Sequence, residues 1–219
     1  MFEAAIFDWD GTLADTRRVV VASFQKALRE VDCKIDNAFI EQRIGIGSAE
    51  TFREILRSSG TSVDESFIKR LVKMKVRNEI EMSAKVKLFG GAFKLLQSLH
   101  DKVKLGLASM SDRAVISHML KMTCTEQLFS VVVTADDVSN PKPSPEVFLK
   151  CACKLKCNPK KCVVVEDSGF GVKAAETAKM RCIAVLTGVH SRERLEKAHP
   201  DLIINSLKEK REVINFIFY

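Results

Sequence analysis

The chain has 219 residues, 46% hydrophobic and 29% charged, enough for a sizeable core and too apolar for intrinsic disorder. Its net charge of +7 favours anionic ligands such as phosphates, but the basic residues are scattered, and one Trp with one Tyr offers little for base stacking. Seven cysteines, no apolar stretch long enough for a bilayer and no basic n-region at Met1-Phe2-Glu3 together argue for free thiols in a reducing cytoplasm, with neither membrane nor nucleic acid as partner.

The first element is the apolar run Ala4-Ala5-Ile6, which reads as a fully buried strand. Directly after it comes Phe7-Asp8-Trp9-Asp10-Gly11-Thr12-Leu13. In extended backbone Asp8 and Asp10 project from the same side. Two like charges held this close repel, and one binds a proton unless a cation sits between them. The pair therefore suits a divalent metal, with one nucleophilic and one acid/base carboxylate, although an Asp- and Gly-rich turn has the same composition. An EF-hand loop is excluded, because counting from Asp8 puts Leu13 at the glycine position and Val19 at the glutamate position.

From Thr16 to about Glu30 apolar residues recur at helical spacing, and a second helix covers roughly Asn37 to Ile44. Gly45-Ile46-Gly47-Ser48 is a turn, with Ser48 placed to cap a helix that ends near Ser59 and Gly60. Asp64 is placed to cap a longer helix through Phe67, Leu71, Met74 and Ile80. After Phe89-Gly90-Gly91 the pattern changes to alternation. A helix from Ala92 to Leu99 precedes the strand Val103 to Ala108 and a helix opened by Ser109-Met110-Ser111-Asp112. The strand Val131 to Thr134 follows, then Lys142-Pro143-Ser144-Pro145 with Ser144 as N-cap of the helix Glu146 to Leu155. Cys162-Val163-Val164-Val165 is a strand ending on Glu166-Asp167. A helix from about Gly171 to Met180 and strands Cys182 to Leu186 and Leu202 to Ile204 complete the series.

Helices alternating with continuous apolar strands predict a doubly wound, Rossmann-like parallel α/β sheet, interrupted by a small inserted helical cap. The expected division is a core of residues 1–15 and 86–219 and a cap of residues 16–85. Asp8, Asp10, Ser109, Lys142, Glu166 and Asp167 all follow strands, and ligands of such folds bind at the carboxyl ends of strands. Cys151, Cys153, Cys157 and Cys162 lack the paired spacing of a zinc site, and the run Lys150, Lys154, Lys156, Lys160, Lys161 reads as a solvated helix face and loop.

In order, these clusters resemble the four motifs of the haloacid dehalogenase-like hydrolases, in the branch of the phosphoglycolate phosphatases and β-phosphoglucomutases. They are Asp8-Trp9-Asp10-Gly11-Thr12, Ser109, Lys142, and Glu166-Asp167-Ser168 with Gly171, Ala174, Ala175 and Ala178. The resemblance implies a Mg²⁺-dependent phosphatase acting on a small phosphorylated metabolite through an aspartyl-phosphate. Asp8 would be nucleophile and Asp10 acid/base. Ser109, Met110 and Lys142 would bind phosphate. The metal would be held by Asp8, the Asp10 backbone carbonyl and Asp167, with Glu166 behind them or as a weaker ligand. Arg43, Gly47 and Ser48 would read the substrate from the cap, phosphoglycolate being the first expectation. A phosphosugar mutase and a silent phosphate-binding module are the alternatives; Val20 and Ser48 stand where the mutases carry histidine and arginine. A monomer or weak dimer is expected.

Overall fold

The computed structural model describes residues 1–60 and 64–219. Strands β1 (Ala4–Phe7), β2 (Lys104–Ala108), β3 (Val131–Val133), β4 (Cys162–Glu166), β5 (Arg181–Val185) and β6 (Leu202–Ile204) form one sheet in the order β3-β2-β1-β4-β5-β6. Every pairing is parallel, so the doubly wound sheet expected from the apolar runs is the one observed. Both faces are covered. Ala5 and Phe7 of β1 face a core built with α5 (Ala92–Leu99), α6 (Arg113–Met122) and α10 (Lys210–Phe218). Ala4 and Ile6 face the opposite core, built with α7 (Glu146–Lys154), α8 (Gly169–Thr177) and α9 (Arg192–Glu196). This period-2 division of one fully buried strand is why it reads as an unbroken apolar run.

Between β1 and β2 the chain forms α1 (Arg17–Arg29), α2 (Asn37–Glu41), α3 (Ser48–Ser58) and α4 (Glu65–Met82). These four helices bury a third apolar cluster, including Val20, Phe24, Phe52, Ile55, Ile68 and Leu71. Asp64 caps α4 as expected, accepting hydrogen bonds from the Ser66 and Phe67 backbone amides at 3.1 and 3.2 Å. The helix predicted to reach Ile44 stops at Glu41, and turns carry the chain on to Gly45 and Gly47, which take φ of 105° and 91°. The helix after Lys142 starts at Glu146 as expected, but Pro145 rather than Ser144 is its N-cap.

The two segments joining these helices to the sheet lie side by side. Asp15 N–H donates to Lys87 O at 2.9 Å and Phe89 N–H to Leu13 O at 2.9 Å, with an antiparallel bridge between Ala14 and Leu88. Gly90 and Gly91, at the end of the returning segment, answer to packing. A Cβ on Gly90 would lie 2.6 Å from Lys208 Cε, and one on Gly91 2.5 Å from Leu207 O.

Candidate active site

In the sheet order, β1 sits between β2 and β4, so consecutive connections leave β1 on one side and return on the other. A crevice opens at such a reversal. Asp8 follows β1 directly, its N–H donating to Val165 O of β4 at 3.0 Å. Glu166 ends β4 and Asp167 follows. Trp9 turns the other way, fully buried in the core, which leaves Asp8 and Asp10 on the crevice side. Gly11 closes the turn at φ 82°, its N–H donating to Ala14 O at 3.0 Å. A side chain there would strike the Asp167 carboxylate, as would one at Gly188, and one at Gly171 would strike Glu166. The acids therefore occupy a cradle that only glycines leave open.

One cation bridges two of the buried acids. Lys142 Nζ donates to Asp8 Oδ1 at 2.6 Å and to Glu166 Oε1 at 2.7 Å, with a longer contact to Ala108 O at 3.4 Å. Glu166 Oε2 accepts from the Asp167 and Ser168 backbone amides, both at 2.7 Å. Both its oxygens are thus engaged by protein, and it organises Lys142 and the following loop. Thr12 Oγ1 donates to Asp167 Oδ1 at 2.9 Å. Burial pushes the Asp8 carboxyl up to about 8, with Lys142 pulling it back and Glu166 and Asp10 adding to the rise. Burial, then Glu166 and Asp8, hold Asp167 well above the usual carboxylate range.

A cation beside these groups would restore their ionised form. Asp8, Glu166 and Asp167 each offer an oxygen, all within 4.8 Å of one another. An all-oxygen, acidic and cradled donor set fits a small hard divalent ion.

Asp10 is held differently. Its Oδ1 accepts from Thr16 Oγ1 at 2.7 Å, and Oδ2 accepts from Ser111 Oγ at 2.6 Å and Ser109 Oγ at 3.4 Å. Ser109 Oγ in turn accepts from the Ser111 N–H at 3.0 Å. The side chain of Asp10 lies outside the three-acid group. Ser111 went unrecognised in the sequence, since a serine in a Ser-Met-Ser-Asp turn looks like part of an ordinary helix start.

Helices α1 to α4 roof the crevice. Val20, Phe24, Arg43, Ser48, Thr51 and Lys75 line a chamber of about 20 Å³ over Asp8 and Asp10, with Gly47, Met110 and Ser111 at its edge. Gly47, not Ser48, is the N-cap of α3, and a Cβ on it would lie 3.3 Å from Met110 O. Ser48 is the first helical residue, and its Oγ donates to Asp112 Oδ2 at 3.0 Å. The expected capping serine is thereby a tie between α3 and the sheet side. Arg43 reaches the chamber already engaged, with Nε donating to Glu54 Oε2 at 2.5 Å and Nη1 to Phe39 O at 2.9 Å. Beside the chamber a cleft of about 520 Å³ runs past Asp15, Arg17 and Thr187 to Asp167.

A second missed group is Lys75 on α4. It is fully buried, and its Nζ donates to Glu79 Oε2 at 2.5 Å. In sequence, a Lys and a Glu four apart look like a surface pair. Neighbouring Asn78 is buried with neither amide atom partnered, and so is Glu79 Oε1. Among the described residues no other group of three or more His, Cys, Asp or Glu side chains converges, so the cysteines at 151–162 assemble no metal site. Burial pushes the Cys162 thiol up to about 12, which keeps it inert.

Residues 5–185 match the model of the haloacid dehalogenase-like hydrolases, and the chain belongs to that family. It is a hydrolase of the phosphatase kind, in the branch that its motifs resemble. It is 30% identical to validoxylamine A 7'-phosphate phosphatase of Streptomyces hygroscopicus subsp. limoneus, over 96% of this chain and 97% of that one. It is 28% identical to pyrophosphatase PpaX of Oceanobacillus iheyensis, over 93% and 92% of the two chains. Among solved structures it superposes on a β-phosphoglucomutase from Clostridium difficile with a TM-score of 0.86 at 29% identity, covering 99% of this chain and 97% of that one. Among the described residues no helix is long and apolar enough to cross a membrane.

Proposed function

We propose that the protein hydrolyses a small phosphomonoester through an aspartyl-phosphate on Asp8, with Mg²⁺ as cofactor. The observation that carries this reading is the pairing of two differently held carboxylates. Asp8 lies against Lys142 among acids, while Asp10, two residues on, is fixed by Thr16 and Ser111. In the first half-reaction an Asp8 oxygen forms a bond to phosphorus as the bond to the ester oxygen breaks. Asp10, protonated, gives its proton to that oxygen, and the alcohol leaves. In the second half-reaction Asp10 takes a proton from water, whose oxygen attacks the phosphorus and releases phosphate and free Asp8. Ser109, Met110 and Lys142 are assigned to the transferring phosphoryl group, Lys142 as a point charge.

Asp8 and Asp167, with the Asp10 backbone carbonyl, are assigned to Mg²⁺, and Glu166 stands behind them. When bound, the ion supplies positive charge that lets an anionic nucleophile approach an anionic phosphate.

Residues 16–85 are assigned as a cap that opens to admit substrate, since the chamber over the aspartates has room for about one water. Arg43, Gly47 and Ser48 are its substrate-reading elements. Hydrolysis is preferred over phosphosugar mutation because Val20 and Ser48, both lining the chamber, stand where the mutases carry histidine and arginine. A mutase must retain and turn its sugar intermediate, and those two groups are missing.

The test is p-nitrophenyl phosphate turnover with and without EDTA, together with a coupled assay for mutase turnover of β-glucose 1-phosphate. Metal-dependent hydrolysis without mutase turnover is expected. Appreciable mutase turnover would overturn the choice, and no hydrolysis in excess Mg²⁺ would reduce the protein to a binding module.

A further inference from the structure

Resting on the phosphatase reading, we propose that the cap selects an uncharged, hydroxyl-bearing leaving group, such as that of a sugar or polyol phosphate. It selects against one carrying a carboxylate or a second phosphate. The argument is one of charge. Despite the chain's excess of basic residues, both cations in the chamber roof are already matched. Lys75 is tied to Glu79 at 2.5 Å, both side chains being buried. Burial opposes the Lys75 charge, yet Glu79, Asp112 and Asp10 together outweigh it and hold the ammonium above its ordinary pKa, so the proton stays on the lysine. Arg43 is tied to Glu54 at 2.5 Å, and its Cζ lies over the Phe39 ring, 3.4 Å from the centroid.

Two arginines further out are also paired. Arg17 pairs with Glu41, and Arg53 pairs with Glu50 at 3.0 Å and Glu65 at 2.8 Å. An anionic leaving group would thus meet neutral pairs above it and the acids Asp8, Asp10 and Asp112 below and beside it. To gain a counter-charge it would have to displace Glu79, stranding a buried carboxylate, or Glu54, which is partly exposed.

What the roof does offer is neutral hydrogen bonding. Ser48 Oγ and Thr51 Oγ1 face the chamber, each already donating its proton, to Asp112 and Gly47 O respectively, and each retaining acceptor capacity. Outside the chamber lining, Asn78 on the same helix as Lys75 has an amide donor and acceptor without partners, and Glu79 Oε1 lacks a donor. Buried polar atoms left unpaired are costly, and hydroxyls, which both donate and accept, satisfy either kind. A carboxylate or phosphate can only accept.

The test is a panel of kcat/KM values for β-glycerophosphate, sorbitol phosphate, phosphoglycolate and pyrophosphate, each relative to acetyl phosphate, which gives the cap little to hold. In the wild type the two neutral esters should exceed the two anionic ones by about tenfold or more, the worth of a charge-assisted contact won or lost. Glu79→Gln keeps the shape but unmasks the Lys75 charge, and should move the ratio of phosphoglycolate to sorbitol phosphate upward by about tenfold. Glu54→Gln should move it the same way through Arg43. A wild type that turns over acetyl phosphate yet prefers phosphoglycolate or pyrophosphate overturns this proposal alone, as does a folded Glu79→Gln with an unchanged ratio. A wild type without acetyl phosphate turnover overturns the phosphatase reading and this proposal with it. The wild-type panel decides even where Glu79→Gln folds poorly.

Discussion

The two sides of the crevice handle charge in opposite ways. At the strand ends Asp8, Asp10, Glu166 and Asp167 are buried, and Lys142 touches only Asp8 and Glu166, an imbalance that goes with the raised pKa values of Asp8 and Asp167. In the helical roof, Lys75 with Glu79 and Arg43 with Glu54 cancel within one contact each. An unbalanced acid cluster is destabilising until a cation and a phosphoryl group complete it, which is what a reaction centre requires. Balanced pairs hold shape and discriminate by hydrogen bonding. Transfer and selection are thus assigned to separate elements of one chain, and each can be altered without the other.

The sharpest way to break the comparison is at the strand ends. Asp8→Asn should abolish steady-state turnover of every substrate, acetyl phosphate included, in a colorimetric phosphate-release assay. Near-normal activity would move the nucleophile elsewhere. Asp10→Asn should slow both half-reactions by about 10²- to 10⁴-fold, the usual worth of a positioned acid/base. Its Mg²⁺ affinity by calorimetry should stay close to that of the wild type, because its side chain lies outside the three-acid group.

Lys142→Met should lower thermal stability by about 3–5 kcal/mol, since it strands Asp8 and Glu166 without their buried partner. Added Mg²⁺ should recover part of that loss. A smaller effect is expected at the roof. Ser48→Ala removes a hydrogen bond between α3 and Asp112, worth about 1 kcal/mol, or roughly fivefold in kcat/KM for esters that need the cap closed. Acetyl phosphate should be less affected, and equal loss on both would make Ser48 merely structural.

The mildest effect is of pH. His190 Nδ1 accepts from the Gly169 N–H at 2.8 Å, and burial, then Arg194, hold the ring below its ordinary 6.5. The unfolded chain therefore takes up the proton first. Stability from this site is present above pH 6.5 and falls as pH drops below it. A thermal melt series should show that slope reduced in His190→Gln.

The core half of this arrangement was largely legible in the sequence. β1 and β4 are buried on both faces, so their apolar runs stand out, and each acid cluster follows such a run directly. The roof was far less legible. Lys75, Asn78 and Glu79 lie within α4, where a charged residue facing a buried chamber and one facing water have the same spacing. Only packing against the sheet side distinguishes them. Ser48 appeared as a cap because glycines precede it, yet Gly47 takes the capping position and frees the hydroxyl for Asp112, 64 residues away. The final helix, α10, was not foreseen. Lys-Arg-Glu-Val-Ile-Asn-Phe-Ile-Phe is rich in β-branched and aromatic residues, and the helix exists because Val213 and Ile217 complete the core beneath the sheet.

The central claim is that Asp8 carries the phosphoryl group between the two half-reactions. Its most direct test is acid quenching of the enzyme during turnover of radiolabelled acetyl phosphate in Mg²⁺, followed by peptide mapping of the label. An acid-stable, hydroxylamine-labile label on the peptide containing Asp8, absent in Asp8→Asn and accumulating in Asp10→Asn only as fast as that variant's slowed transfer allows, is the predicted result. Full turnover with no label on that peptide under rapid quench, or label on another residue, would contradict the account.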